Sequence, residues 1–307
     1  MSFKKISEIT EEAGKKNLEF WEAVLHDDMK ERNVTEEESF RKMEKMFDAM
    51  AEADRTYSPG LRSHSGLSGG DGAKLELFRK QENRLIGTFL TMVMEKAVKM
   101  GESNACMKRI VAAPTAGSCG VIPAVLLTYY EQKKPLKEKI IRSLYVAAGI
   151  GQVIANTASI SGAEGGCQAE IGSASAMAAG ALTYLESGNE AEEDGENSDP
   201  ATQKAGANER IANAAALALK NMLGLTCDPV AGLVEVPCIK RNVSGAVNAI
   251  IASQMTKAGI KSAIPADEVI ESMGRIGSLI PPCLRETSQE GLATTATAQK
   301  IAEKIQG

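Results

Sequence analysis

Residues 171–185 read IGSASAMAAGALTYL, a run without charge or proline whose apolar positions follow a helical rather than an alternating period. A helix with no polar face is buried on all sides, and its abundant Ala, Gly and Ser let neighbouring backbones approach closely. The stretch therefore predicts a central helix. Outward from it, helical patterns occupy 83–100, 122–130, 137–154, 209–223, 244–258 and 266–279, with glycine stops at Gly101, Gly224 and Gly259. No comparable run alternates with period two, and no internal repeat occurs at a fixed period. The expected fold is all-α. An uncharged stretch, 143–163, has the length of a bilayer span but carries Gln152, Asn156 and several Ser, Thr and Gly, so it reads as a buried helix and loop.

Composition narrows the function. Of 307 residues, 43% are hydrophobic, enough for a sizeable core, and 35 Lys+Arg against 40 Asp+Glu give a net charge of −5. Without a basic excess, a nucleic-acid partner is not expected. The two histidines, His26 and His64, cannot build a His-rich metal site. Six cysteines are too sparse for a disulfide scaffold, and the polar residues after Met1 show no signal peptide. A reducing cytoplasm is the expected compartment. There cysteines serve more often as ligands or catalytic groups.

Residues 1–57 are dense in charge and predict a helical hairpin packed on the core. Leu18, Trp21 and Leu25 form one stripe, and Phe40, Met43 and Phe47 a second, which starts at a Thr35/Glu38 capping box. Residues 58–307 form the main helical domain, entered through a glycine-rich loop from Ser58 to Gly72. Within it, residues 187–209 are polar and acidic and read as a mobile surface insertion.

Three cysteines lie in glycine- or proline-bearing segments: Cys167 after Gly165-Gly166, Cys227 before Asp228-Pro229, and Cys238 after Pro237. Ten residues separate the last two, which is no compact ligand motif. Spacing alone leaves two readings open: thiolate ligands converging from loops, or small buried hydrophobes.

Several segments together resemble the alpha chain of bacterial iron-sulfur-dependent L-serine dehydratase. They are 113–118, 158–163, Gly166-Cys167-Gln168-Ala169-Glu170-Ile171-Gly172, 221–232 and Val236-Pro237-Cys238-Ile239-Lys240-Arg241-Asn242, with Gly66-Leu67-Ser68-Gly69-Gly70-Asp71 and Leu284-Arg285-Glu286-Thr287. The match runs in order over nearly the whole chain. It departs in the long acidic insertion and in Glu290, where a second glycine is usual.

The resemblance implies a [4Fe-4S] cluster held by Cys167, Cys227 and Cys238, L-serine as substrate, and a separate beta chain as partner. Three thiolates leave one iron open to the substrate hydroxyl as a Lewis acid. Elimination then gives aminoacrylate, whose imine hydrolyses to pyruvate and ammonia. Thr115, Gly117 and Ser118, before an apolar helical run, form one candidate anion cradle for the substrate carboxylate. Gly69, Gly70 and Asp71 form a second, with Asp71 facing the substrate ammonium. His64 is the one candidate base in reach of pH 7 chemistry, though the base could equally come from the partner. Lys240 and Arg241 read equally as groups that tune the cluster or hold the substrate carboxylate, or as a surface pair. Cys106, Cys119 and Cys283 are assigned to packing or free thiols. The competing reading is a non-catalytic helical subunit in which the three thiolates and Asp228 hold a structural zinc.

Overall fold

A computed structural model describes residues 2–187 and 199–306 of the chain. Among the described residues there are thirteen α-helices and no β-strand, only one isolated bridge between Cys227 and Arg285. The helices are α1 (Ile6–Lys16), α2 (Phe20–Arg32), α3 (Glu36–Arg55), α4 (Asp71–Arg79), α5 (Thr88–Ala105), α6 (Val121–Lys133) and α7 (Lys137–Thr157). They continue with α8 (Gly162–Gly165), α9 (Ser173–Ser187), α10 (Pro200–Lys220), α11 (Cys238–Lys257), α12 (Ala266–Leu279) and α13 (Ala296–Gln306). The all-α expectation holds, and among the described residues no helix is long and apolar enough to cross a membrane.

Helix α9 is the axis, buried from Ser173 to Thr183 and packed by α6, α7, α10 and α11. Its small residues permit this: a Cβ on Gly180 would stand 2.3 Å from Ile150 Cδ1, and one on Gly245 of α11 would stand 2.8 Å from Ile171 Cγ2. Several of its polar groups are satisfied between helices, whereas the buried Ser173 hydroxyl has no hydrogen-bond partner among the described residues. Ser175 donates to the Gly245 carbonyl at 2.8 Å and accepts from Asn248 Nδ2 at 2.8 Å.

The amino-terminal region holds three helices where two were expected. Thr35 and Glu38 form the predicted capping box, with the Thr35 N–H donating to Glu38 Oε2 at 2.9 Å. The preceding α1 presents only Ile6, Ile9 and Ala13 to the core between charged residues, a stripe too thin to stand out in sequence. A second difference concerns 187–209. Asp199 caps α10, accepting from the Ala201 N–H at 2.9 Å, so the chain is helical from Pro200 rather than from Glu209. The remainder of that acidic run, 188–198, lies outside the described residues.

Candidate functional site

Cys167 sits between the short α8 and a π-helical turn, Gln168–Gly172, that leads into α9. Gly166 precedes it with φ +75°, and a Cβ there would lie 2.6 Å from the Leu225 carbonyl oxygen, so only glycine lets the two cysteine segments meet. Cys227 follows α10 on extended backbone. Its N–H donates to the Leu284 carbonyl at 2.8 Å and its carbonyl accepts from the Glu286 N–H at 2.7 Å. Cys238 is the first residue of α11, on a helix rather than on the irregular loop expected for it.

The Cys167 and Cys227 segments converge, and among the described residues the close group they form does not include Cys238. The sulfurs of Cys167 and Cys227 and a carboxylate oxygen of Glu170 all lie within 4.8 Å of one another. All three cysteines are buried and form no disulfide. A hydrogen bond from Cys227, with help from the Arg241 guanidinium, holds the Cys167 thiol below its usual range against burial. Cys227 is pushed up by that same bond and by burial, and Cys238 is pushed up to about 12 by burial and by the charges of Cys167 and Glu170. Burial raises the Glu170 carboxyl too.

The residues fit a thiolate-bound metal group. Two glycines leave room facing the donors: a Cβ on Gly162 would stand 2.9 Å from Glu170 Oε2 and 3.2 Å from Cys227 Sγ, and one on Gly117 would stand 3.2 Å from both Glu170 oxygens. Soft sulfur donors of this kind select zinc or iron-sulfur groups. The zinc reading loses the fourth ligand it named, because Asp228 Oδ1 accepts from Arg241 at 2.8 Å and Oδ2 from the Leu292 N–H at 2.9 Å.

Arg241 and Asn242 join the three segments. Arg241 donates to Cys167 Sγ at 3.2 Å, the Thr226 carbonyl at 2.8 Å and Asp228. Asn242 Nδ2 donates to the carbonyls of Gly117 at 2.8 Å and Cys238 at 3.0 Å, while its Oδ1 accepts from the Gly120 N–H at 2.8 Å. Lys240 turns outward to Asp71 at 2.7 Å.

The two candidate cradles part company here. The structure brings Thr115, Gly117 and Ser118 to the thiols: Thr115 Oγ1 donates to Glu170 Oε1 at 2.9 Å and lies 3.0 Å from Ser118 Oγ. The other cradle is filled from within. Fully buried Glu102 accepts from the N–H groups of Gly69 at 3.2 Å, Asp71 at 2.8 Å and Gly72 at 3.1 Å, and from Tyr57 Oη at 2.6 Å. Asp71 is engaged by Lys240 and Lys74, which hold its carboxyl below the usual range. His64 is exposed on that same loop, and its neighbour Ser65 donates to Glu235 Oε1 at 2.8 Å, so the loop braces the turn before Cys238 from outside. Glu102→Leu strands four donors, and we expect a stability loss on the order of 3 kcal/mol or more, measured by denaturant unfolding.

Sequence reasoning gave Glu170 no role. Its only signal was position, one turn beyond Cys167 in the quoted motif.

A buried, thiol-rich cluster wrapped by helices defines the class: an all-helical protein with a candidate metal site at its centre. The family model described as serine dehydratase alpha chain matches residues 15–194 and 201–293, and the chain belongs to that family. It is 43% identical over 305 residues to the probable L-serine dehydratase, alpha chain, of Bacillus subtilis, covering 99% of this chain and 96% of that one. It is 37% identical over 295 residues to the L-serine dehydratase, alpha chain, of Peptoniphilus asaccharolyticus, covering 96% and 95%. The L-serine dehydratase of Haemophilus influenzae is 43% identical over 199 residues, 64% of this chain but 40% of that longer one.

Proposed function

We propose that the chain is the catalytic alpha subunit of an L-serine ammonia-lyase that forms pyruvate and ammonia using a [4Fe-4S] cluster on Cys167, Cys227 and Cys238. The observation that carries this reading is the convergence of Cys167, Cys227 and Glu170 on the Thr115 loop, in a chain of this family. When bound, the cluster supplies a Lewis-acidic iron for the departing hydroxyl.

The chain's own residues bind and orient the substrate. The N–H groups of Ala116, Gly117 and Ser118 donate to no partner among the described residues and stand before the amino end of α6, where donors and dipole favour a carboxylate. Thr115 and Ser118 add hydroxyl donors. Glu170, beside them, takes the substrate ammonium, which turns Cβ and its hydroxyl toward the thiols. Gly69, Gly70 and Asp71 hold the Cys238 turn in place through Lys240 instead of touching substrate.

The relatives named as alpha chains, and the 40% share of the longer Haemophilus protein that is matched, support a separate beta chain that supplies the rest. Free thiols at a metal centre suit a reducing compartment, and we assign the chain to the cytoplasm.

Iron and acid-labile sulfide on protein purified without oxygen, with pyruvate release from L-serine in the presence and absence of a beta-type chain, test the reading. About four irons and four sulfides per chain with pyruvate formed are expected. Zinc without sulfide, and no pyruvate when the beta chain is present, would sink it.

A further inference from the structure

A cavity of about 330 Å³ lies against the outer side of the Cys167 segment, walled by Ser159, Glu164, Gly165, Gln168, Gly277 and Arg285 among others. It is separate from the thiol site. The Gln168 side chain closes the wall between them, its Oε1 accepting from the Gly224 N–H at 2.9 Å and its Nε2 donating to the Met273 carbonyl at 3.1 Å. On the far side of that wall, the Cys167 sulfur faces Arg241.

The lining carries one cation and one carboxylate, and neither enters an ion pair among the described residues. Both are held in place by neutral groups. Arg285 Nε donates to the Ile280 carbonyl at 2.6 Å and Nη2 to the Ser278 carbonyl at 2.8 Å, which leaves Nη1 for a ligand. Glu164 Oε2 accepts from Ser159 Oγ at 2.7 Å, which leaves Oε1. Two fixed opposite charges in a cavity near the lower size limit of small-molecule sites suit a ligand carrying both charges on a small frame.

Backbone packing limits that frame further. Gly165, Gly274 and Gly277 form the floor, where a Cβ on Gly277 would stand 3.1 Å from the Gly165 Cα. A long side chain finds little space beside them.

We infer that this cavity binds a free α-amino acid with a small side chain, its carboxylate on Arg285 and its ammonium on Glu164. The site needs neither the cluster nor turnover, so it stands or falls apart from the dehydratase reading. An occupant would rest on the wall that carries Cys167, and through it the free amino-acid level would reach the metal centre.

Calorimetric titration of the full chain with L-alanine, which has no hydroxyl to lose, tests this. One saturable site per chain that persists in Thr115→Val is expected, with propionate and ethylamine, each bearing a single charge, failing to fill it. Glu164→Gln, at an exposed position, and Arg285→Lys should each weaken alanine binding about tenfold or more. Thr115→Val, on the thiol side, should leave it unchanged. Absence of saturable binding at millimolar alanine would overturn the inference. So would equal affinity in Glu164→Gln and the unaltered chain, or loss of binding in Thr115→Val alone.

Discussion

Serine in place of Cys167, Cys227 or Cys238 is expected to abolish both the bound iron and sulfide and the release of pyruvate, while Cys283→Ser leaves both near the level of the unaltered chain. The four cysteines differ in setting. The first three are buried at 1%, 2% and 7% exposure, and the charges of Cys167 and Glu170 act on Cys238. Cys283 is partly exposed in the turn before Arg285. A hydroxyl in place of a thiol is a harder and far less acidic donor, and two remaining sulfurs cannot retain a group that needs three. Iron and sulfide per chain, measured without oxygen, check each variant. A Cys227→Ser protein with its full complement would remove that residue from the ligand set.

Asn242→Ala should lower kcat/KM for L-serine about 10–100-fold, the range usual for outer groups that orient metal ligands. One buried carboxamide holds the Cys238 carbonyl, the Gly117 carbonyl and the Gly120 N–H, so its loss frees the Cys238 turn and the Thr115 loop together. Asn248, two turns further along α11, is the control: it too is buried and hydrogen-bonded, to Ser175 and the Ala218 carbonyl, but it stands away from the thiols. Asn248→Ala should lose comparable stability, about 1–3 kcal/mol. Visible absorbance and the KM for serine should change only in Asn242→Ala. Equal changes in the two variants would reduce Asn242 to a purely structural role.

Much of the fold was legible because buried helices write their period into the sequence. Residues 171–185 announced α9 through composition alone, and the Thr35/Glu38 pair marked the start of α3. Helix α10 hid its first turns because residues 200–208 are mostly small or polar, although Asp199-Pro200 is a helix-start signal in itself. The family's motifs singled out Cys167 and Cys227, which the structure brings together with Glu170, and the Thr115 loop, which lies against that carboxylate. What stayed out of reach was tertiary. Sequence shows that the N–H groups at 69–72 can cradle an anion, but not that Glu102 already lies in it. It shows Lys240 beside Arg241, but not that the Lys240 side chain is 57% exposed and that of Arg241 only 18%.

The π turn at 168–172 has a consequence for chain length. Each residue of an α-helix rotates its side chain about 100° around the axis, so a one-residue insertion shifts the phase of everything before it. Removing any single residue from 168–172 lets α9 wind on as an ordinary helix, and Cys167 then swings by roughly that angle relative to Ser175 and Gly245. Point changes at Ala169 alter a contact, whereas a deletion there turns the Cys167 sulfur away from Cys227. Insertions and deletions at this turn, more than substitutions, should therefore mark chains in which the Cys167–Cys227 pairing is lost.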